Sequence, residues 1–286
     1  MTPVLETTGL GVRYGRTWAL RDCSLAVPRG RVAALVGPNG AGKTTLMHTA
    51  VGLLKPSAGQ VTVRGEVAFV AQDKPLYDGF TVAEMLTFGR RMNPRWDDEA
   101  ARGRLAGLGI PLERRVGRLS GGQQAQVALT LALTRHPGLL VLDEPLANLD
   151  PLARHDVMRA VMAEVAAHEL TVLLSSHVVS DLEDTCDWLI VLNGGRAQVS
   201  GDIEDLLDGH RVLTGPAELA EGVAARTRVV AAGGSGRQTT LLVRDRPVLD
   251  PRWSARRPGL DELVMAYLRS PGSAALPGPA RQGVSA

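Results

Sequence analysis

The chain has 286 residues, of which 44% are hydrophobic and 22% charged, and its net charge is only +2. That balance suits one large globular domain or two modest ones with a sizeable core, and it leaves no bulk electrostatic mark of a nucleic-acid binder. No run approaches 18 apolar residues, the N-terminus lacks the basic and apolar regions of a signal peptide, and two scattered cysteines, Cys23 and Cys186, make neither a disulfide framework nor a zinc site; a reducing cytoplasm is the expected setting.

Residues 4–13 and 18–27 read as two strands of an N-terminal antiparallel sheet, joined by a turn at Tyr14-Gly15-Arg16. The apolar run RVAALV at 31–36 predicts a short strand that runs directly into glycines, and a helix is expected from Lys43 to about Val51. Short strands are expected at 60–64 and 66–70, around Gly65. From about 80 to 136 the periodicity turns helical, with segments at 81–91, 97–108 and 122–135, so a helical subdomain is expected as an insertion. Strand signals return at 139–142, 171–175 and 188–193, with a helix over 151–168 between the first two. Alternating strands and helices predict an α/β fold with a parallel sheet. Beyond about 207 the pattern weakens to short strands at 211–214, 226–231 and 239–244 and an amphipathic helix at 259–269. The final stretch, 271–286, rich in Pro, Gly, Ser and Ala, reads as a disordered tail.

Three motifs carry chemistry. GPNGAGKTT at 37–45 matches G-x-x-x-x-G-K-[ST] in full, with a strand before it and a helix after it. Its glycines, Gly37, Gly40 and Gly42, let the backbone wrap a phosphate chain; Lys43 reaches the β- and γ-phosphates and Thr44 offers a hydroxyl to Mg2+. Of the 32 basic residues only Lys43, Lys55 and Lys74 are lysine, which makes the lysine at 43 stand out. LLVLDEP at 139–145 is an apolar strand ending in two acids: Asp143 suits a metal-holding role and Glu144 can orient or accept a proton of attacking water. Taken alone, that Asp-Glu pair is equally a helix N-cap. LSGGQ at 119–123 reads as a Ser-Gly-Gly turn opening a helix, and alone it is an ordinary Ser-capped start.

With GPNGAGKTT, LSGGQ, LDEP and SSH (175–177) in this order, the chain resembles the nucleotide-binding subunit of an ATP-binding-cassette (ABC) transporter over roughly residues 4–208. The resemblance implies a P-loop NTPase core (a mixed sheet with an N-terminal antiparallel β-subdomain), an inserted α-helical subdomain at about 80–136, a small C-terminal α+β extension at 209–270 and the tail at 271–286. It implies ATP and Mg2+ as cofactors, with Asn39, Ala41 and Thr45 joining Gly37, Gly40, Gly42, Lys43 and Thr44 in the nucleotide cradle. It places Gln72 on Mg2+ and the attacking water, His177 on the γ-phosphate, Asp150 at the subunit interface and Tyr14 on the adenine; Trp18 close by leaves Tyr14 a turn residue in the alternative. Ser120, Gly121, Gly122 and Gln123 are implied to complete the site of a second ATPase subunit, identical or paralogous, in a head-to-tail dimer. One departure is visible: the family's common LSGGQ-x-Q-R is here LSGGQQAQ, with Ala125 and Gln126 at the last two positions.

The resemblance further implies integral membrane permease subunits as partners, no nucleic acid, and a peripheral location on the cytoplasmic face of the cell membrane. MNPRWDDEA at 92–100 and LDELVMAYL at 260–268 resemble single-cassette ATPases of bacterial multidrug and antibiotic exporters, so export is expected. An importer subunit and a non-transport regulatory ATPase are the alternatives. Leu76, Tyr77 and Phe80, in a loop punctuated by Pro and Gly, are expected to face a membrane partner.

Overall fold

A computed structural model describes residues 2–176, 178–179, 182–244 and 250–273. Of the tail expected at 271–286, residues 274–286 lie outside the described residues, as does the candidate His177.

Three sheets organise the described residues. β1 (Pro3–Tyr14), β2 (Thr17–Pro28) and β4 (Ala58–Val63) form an antiparallel sheet ordered β2-β1-β4. The central sheet has six strands: β5 (Val67–Val70), β6 (Leu139–Leu142), β7 (Thr171–Ser176), β3 (Val32–Val36), β8 (Trp188–Asn193) and β9 (Arg196–Asp202), in that order. All its pairings are parallel except β8 with β9. The third sheet, ordered β11-β12-β10-β13, is antiparallel and contains β10 (Arg211–Pro216), β11 (Val229–Ser235), β12 (Gln238–Val243) and β13 (Ser254–Arg256).

β3 shows why the central sheet is buried on both faces. Val32, Ala34 and Val36 point into one apolar core, and Ala33 and Leu35 into another. The first core is closed by α4 (Gly121–Leu133), α5 (Pro151–His168) and α8 (Leu260–Arg269). The second is closed by α1 (Lys43–Ala50) and the N-terminal sheet. A strand buried on both faces reads as an unbroken apolar run, as RVAALV does. α2 (Val82–Met92) and α3 (Asp98–Gly107) lie with α4 around a third cluster of Val82, Leu86, Ala101, Leu105 and Val127. α2 opens on a capping box, Thr81 with Glu84, legible as T-x-x-E.

Three features of the structure go beyond the sequence expectations. The strands flanking Gly65 belong to different sheets, and Gly65, at φ +93°, makes the corner between them. β9, the short α6 (Ile203–Asp208) and α7 (Ala220–Ala224), and β13 were not expected. β9 follows Gly194-Gly195, both at positive φ, a two-residue hairpin turn of the type that glycines favour. Finally, the residues after 209 do not stand apart. Leu213, Leu241, Val243 and Trp253 form a small core of their own, whereas Val212, Val230, Leu242 and the buried face of α8 join the main core.

Candidate nucleotide site

The parallel strands β3, β6 and β7 end side by side, and the candidate residues sit where they end. After β3 the chain turns through residues 37–42 into α1. Gly40 (φ +81°) and Gly42 (φ +103°) occupy the left-handed region. At Gly37 a Cβ would lie 2.2 Å from the Leu192 carbonyl oxygen, and at Gly42 one would lie 2.6 Å from the Ala19 carbonyl oxygen. These two positions therefore admit only glycine if the loop is to keep its path. α1 begins at Gly42 with no side chain capping it, so its first N–H groups are free for an anion.

Lys43 is 7% exposed. Its Nζ donates to Gly37 O at 2.8 Å and Pro38 O at 3.4 Å, and stands 3.9 Å from Glu144 Oε1. The ammonium is thus tethered at the mouth of the loop. Beyond β6, Asp143 is 2% exposed and accepts from Ser175 Oγ at 2.7 Å through Oδ1. The same Ser175 Oγ accepts from the Glu144 backbone N–H at 2.8 Å. Glu144 holds φ +47°, a strained setting for a non-glycine residue that this hydrogen bond helps to hold. Ser175, wholly buried at the end of β7, orders both acids; the sequence reading had it only as part of SSH, and its position at the end of an apolar strand was the available signal.

Ala19, Asn39, Gly40, Gly42, Lys43, Thr44, Thr45, Gln72, Asp143 and Glu144 line one cleft of about 430 Å3. The residues fit a magnesium–triphosphate group. Uncapped amides and a buried ammonium suit the anion, while the Thr44 hydroxyl, the Gln72 amide and the Asp143 carboxylate supply the oxygen ligands that Mg2+ prefers. Asp143 Oδ2 has no hydrogen-bond partner among the described residues.

Other candidates lie elsewhere. Tyr14 is exposed at the end of β1, opposite Thr17, and does not line the cleft; Trp18 beside it carries the Arg13 guanidinium 5.7 Å over its ring. Ser120, Gly121, Gly122, Gln123 and Asp150 do not line the cleft either. Ser120 caps α4 through a capping box with Gln123. Its oxygen is the acceptor there, which leaves its O–H to donate outward. A Cβ at Gly121 would sit 3.9 Å from Leu149, and one at Gly122 would sit 2.9 Å from Ala153 Cβ, so this loop packs beside Asp150, the N-cap of α5. Ala125 and Gln126 are both buried, and Gln126 Oε1 accepts from Arg104 Nη2 at 3.1 Å. Arg104, on α3, thus brings a guanidinium against the position where the signature commonly has arginine.

A second cleft of about 300 Å3, with Phe69, Leu76, Tyr77, Met85, Phe88 and Met92 in its wall, opens between the central sheet and α2. Leu76 folds inward onto two cores, whereas Tyr77 (55%) and Phe80 (38%) stay exposed and stack at 5.1 Å.

A parallel sheet whose strand ends carry a glycine loop, a buried lysine and paired acids defines the class of P-loop nucleoside triphosphatases. The comparisons with known proteins narrow it. The family profile described as ABC transporter matches residues 20–147. An uncharacterized ABC transporter ATP-binding protein, YxlF of Bacillus subtilis, is 33% identical over 71% of this chain and 72% of its own. Nod factor export ATP-binding protein I of Cupriavidus pinatubonensis is 35% identical over 73% and 70%. Among solved structures, an ATP-binding subunit of an ABC transporter aligns with a TM-score of 0.65 at 27% identity, over 72% of this chain and 92% of its own. The ADP conformation of another such cassette aligns at 0.64 and 27%, over 72% and 93%. The chain belongs to the ABC transporter family, as an ATP-binding subunit with the ATPase activity of that cassette. Among the described residues no helix is long and apolar enough to cross a membrane.

Proposed function

We propose that the chain is the ATPase subunit of an exporter and that residues 37–45 with Asp143 and Glu144 form its hydrolytic site. The observation that carries the reading is the single Ser175 hydroxyl binding both acids opposite a tethered Lys43. In this reading residues 1–208 are the ATPase cassette and 209–270 its C-terminal extension. The amides of 40–45 and Lys43 bind the phosphates. Thr44, Gln72 and Asp143 hold Mg2+, which, when bound, neutralises the developing phosphate charge. Ser175 holds Asp143 in place at the cleft, and fixes the Glu144 backbone so that its carboxylate takes a proton from water. His177 contacts the γ-phosphate and Tyr14 stacks on adenine.

The signature residues Ser120 to Gln123 lie outside this chain's own cleft, which supports a role toward a second subunit. Ser120 presents its O–H, and Gly121 and Gly122 their free amides, to the phosphates held by the partner, with Asp150 beside them. The apolar cleft at Tyr77 and Phe88 receives a cytoplasmic segment of a permease, which places the chain on the cytoplasmic face of the membrane. The export direction is supported by relatives named for Nod factor export.

The test is to co-express the chain with candidate permease subunits and assay inverted vesicles. ATP-driven accumulation of cargo inside such vesicles, lost in Glu144→Gln, is expected. ATP-driven uptake only in right-side-out vesicles would establish import instead, and purification without any membrane protein would return the chain to a non-transport role.

A further inference from the structure

The C-terminal end of a helix leaves carbonyl groups without intrahelical donors. In α8 these are met by side chains from one hairpin of the cassette. Asn193, the last residue of β8, donates from Nδ2 to Leu268 O at 3.1 Å. Gln198, on β9 and 4% exposed, donates from Nε2 to Ser270 O at 3.1 Å.

The other side of the same hairpin touches the glycine loop. The Gly195 N–H donates to Ala41 O at 3.1 Å. The Leu192 carbonyl is the group that forbids a Cβ at Gly37, and Leu192 Cδ2 lies 3.5 Å from the position of a Cβ at Gly42. Gly195 O accepts from the Arg21 N–H at 2.9 Å, which ties in the part of β2 that carries Ala19, a wall of the cleft. Between α8 and the loop themselves there is open space: Gly37, Pro38, Val264, Met265 and Leu268 border a cavity of about 600 Å3. Among the described residues the β8–β9 hairpin is the part that hydrogen-bonds both to the end of α8 and to the loop.

We propose that α8 positions the glycine loop through this hairpin, with Asn193 and Gln198 as positioning residues, so that the C-terminal segment sets how tightly the cassette binds nucleoside triphosphate. The inference rests on the reading that residues 37–45 hold the phosphates. A cradle of amides binds well only while its donors are preorganised, and a loop wedged on one side alone loses that order. The two bonds do not touch nucleotide, so their effect falls on affinity.

The experiment is calorimetric titration of MgATP into the full-length Glu144→Gln protein, which prevents turnover. Asn193→Ala/Gln198→Ala in that background is expected to raise Kd about five- to tenfold, on the scale of one or two neutral hydrogen bonds. Asn193→Ala alone, a milder change, is expected to raise it about threefold. Leu213→Ala, which hollows the small core of the third sheet without touching the hairpin, should lower Tm at least as far and leave Kd within about twofold. A Kd for the double variant within twofold of the parent overturns the proposal, as does an equal rise in Leu213→Ala. Lys43→Ala separates the underlying reading: unchanged binding in that variant removes the phosphate assignment, whereas its loss beside normal binding in the hairpin variants removes only the role of α8.

Discussion

Replacing Ser175 by alanine deletes one hydroxyl that serves two groups. Its Oγ donates to the buried Asp143 at 2.7 Å and accepts from the Glu144 N–H at 2.8 Å. A hydrogen bond to a charged group contributes about 1.5–3 kcal/mol, and a buried N–H left without a partner costs about 1–3 kcal/mol. The two partly overlap, because water can enter from the cleft, so a loss of about 3 kcal/mol is expected. For a chain of this size that is roughly 6–12 °C in Tm. The effect on catalysis is separable. Lys43, the loop amides and the uncapped α1 are untouched, so the Kd for ATP should change less than about threefold. The two acids lose their orientation, and kcat should fall about 10- to 100-fold, equivalent to about 1.4–2.7 kcal/mol of transition-state stabilisation. Differential scanning fluorimetry, nucleotide titration and phosphate release under MgATP measure the three quantities. A kcat within twofold of the parent would refute the reasoning that Ser175 orders the hydrolytic acids.

Ser120→Arg should leave nucleotide binding by the monomer intact and abolish ATP-dependent dimerisation, because Ser120 is exposed and lies off its own cleft; a dimer on size-exclusion chromatography with MgATP would rule out the head-to-tail assignment. Tyr77→Asp/Phe80→Asp should preserve ATPase activity in the free subunit and prevent co-purification with the membrane partner; an intact, transporting complex would place the docking surface elsewhere. Burial pushes the Cys23 and Cys186 thiols up to about 12, so both stay protonated at pH 8. The native protein should resist thiol reagents at pH 8 and react with two equivalents after unfolding. Burial also pushes the Tyr267 hydroxyl up to about 12. All three groups hold their protons longer in the folded state, so their contribution is complete below the ordinary thiol and phenol values and is lost as pH rises toward 12; a Tm that climbs between pH 9 and 11 would contradict it.

The glycine loop was legible because its chemistry and its backbone demand coincide: Gly37 and Gly42 are glycines for steric reasons that only the Leu192 and Ala19 carbonyls reveal, yet the spacing already marks them. The buried strands β3, β6 and β7 were legible as apolar runs, and α2 as a capped amphipathic helix. β9 was signalled only by Asn193-Gly194-Gly195, a turn whose meaning depends on the strand that follows. Ser175 was visible as a residue and invisible as an organiser, since its partners lie about thirty residues back, just beyond the end of a neighbouring strand. The link from α8 to the loop had no local signal at all. It runs through Asn193 and Gln198, polar residues within strands whose partners are backbone carbonyls some seventy residues away. Contacts between distant segments carry no periodicity, and that is where the sequence falls silent.

The central claim is that Glu144 activates water in a site where Lys43 and the loop amides hold ATP. Steady-state phosphate release by Glu144→Gln under saturating MgATP tests it most directly, paired with nucleotide titration of the same protein. The account predicts at least about 100-fold slower turnover, the scale of a lost general base, with ATP affinity retained. Turnover equal to that of the parent would contradict it.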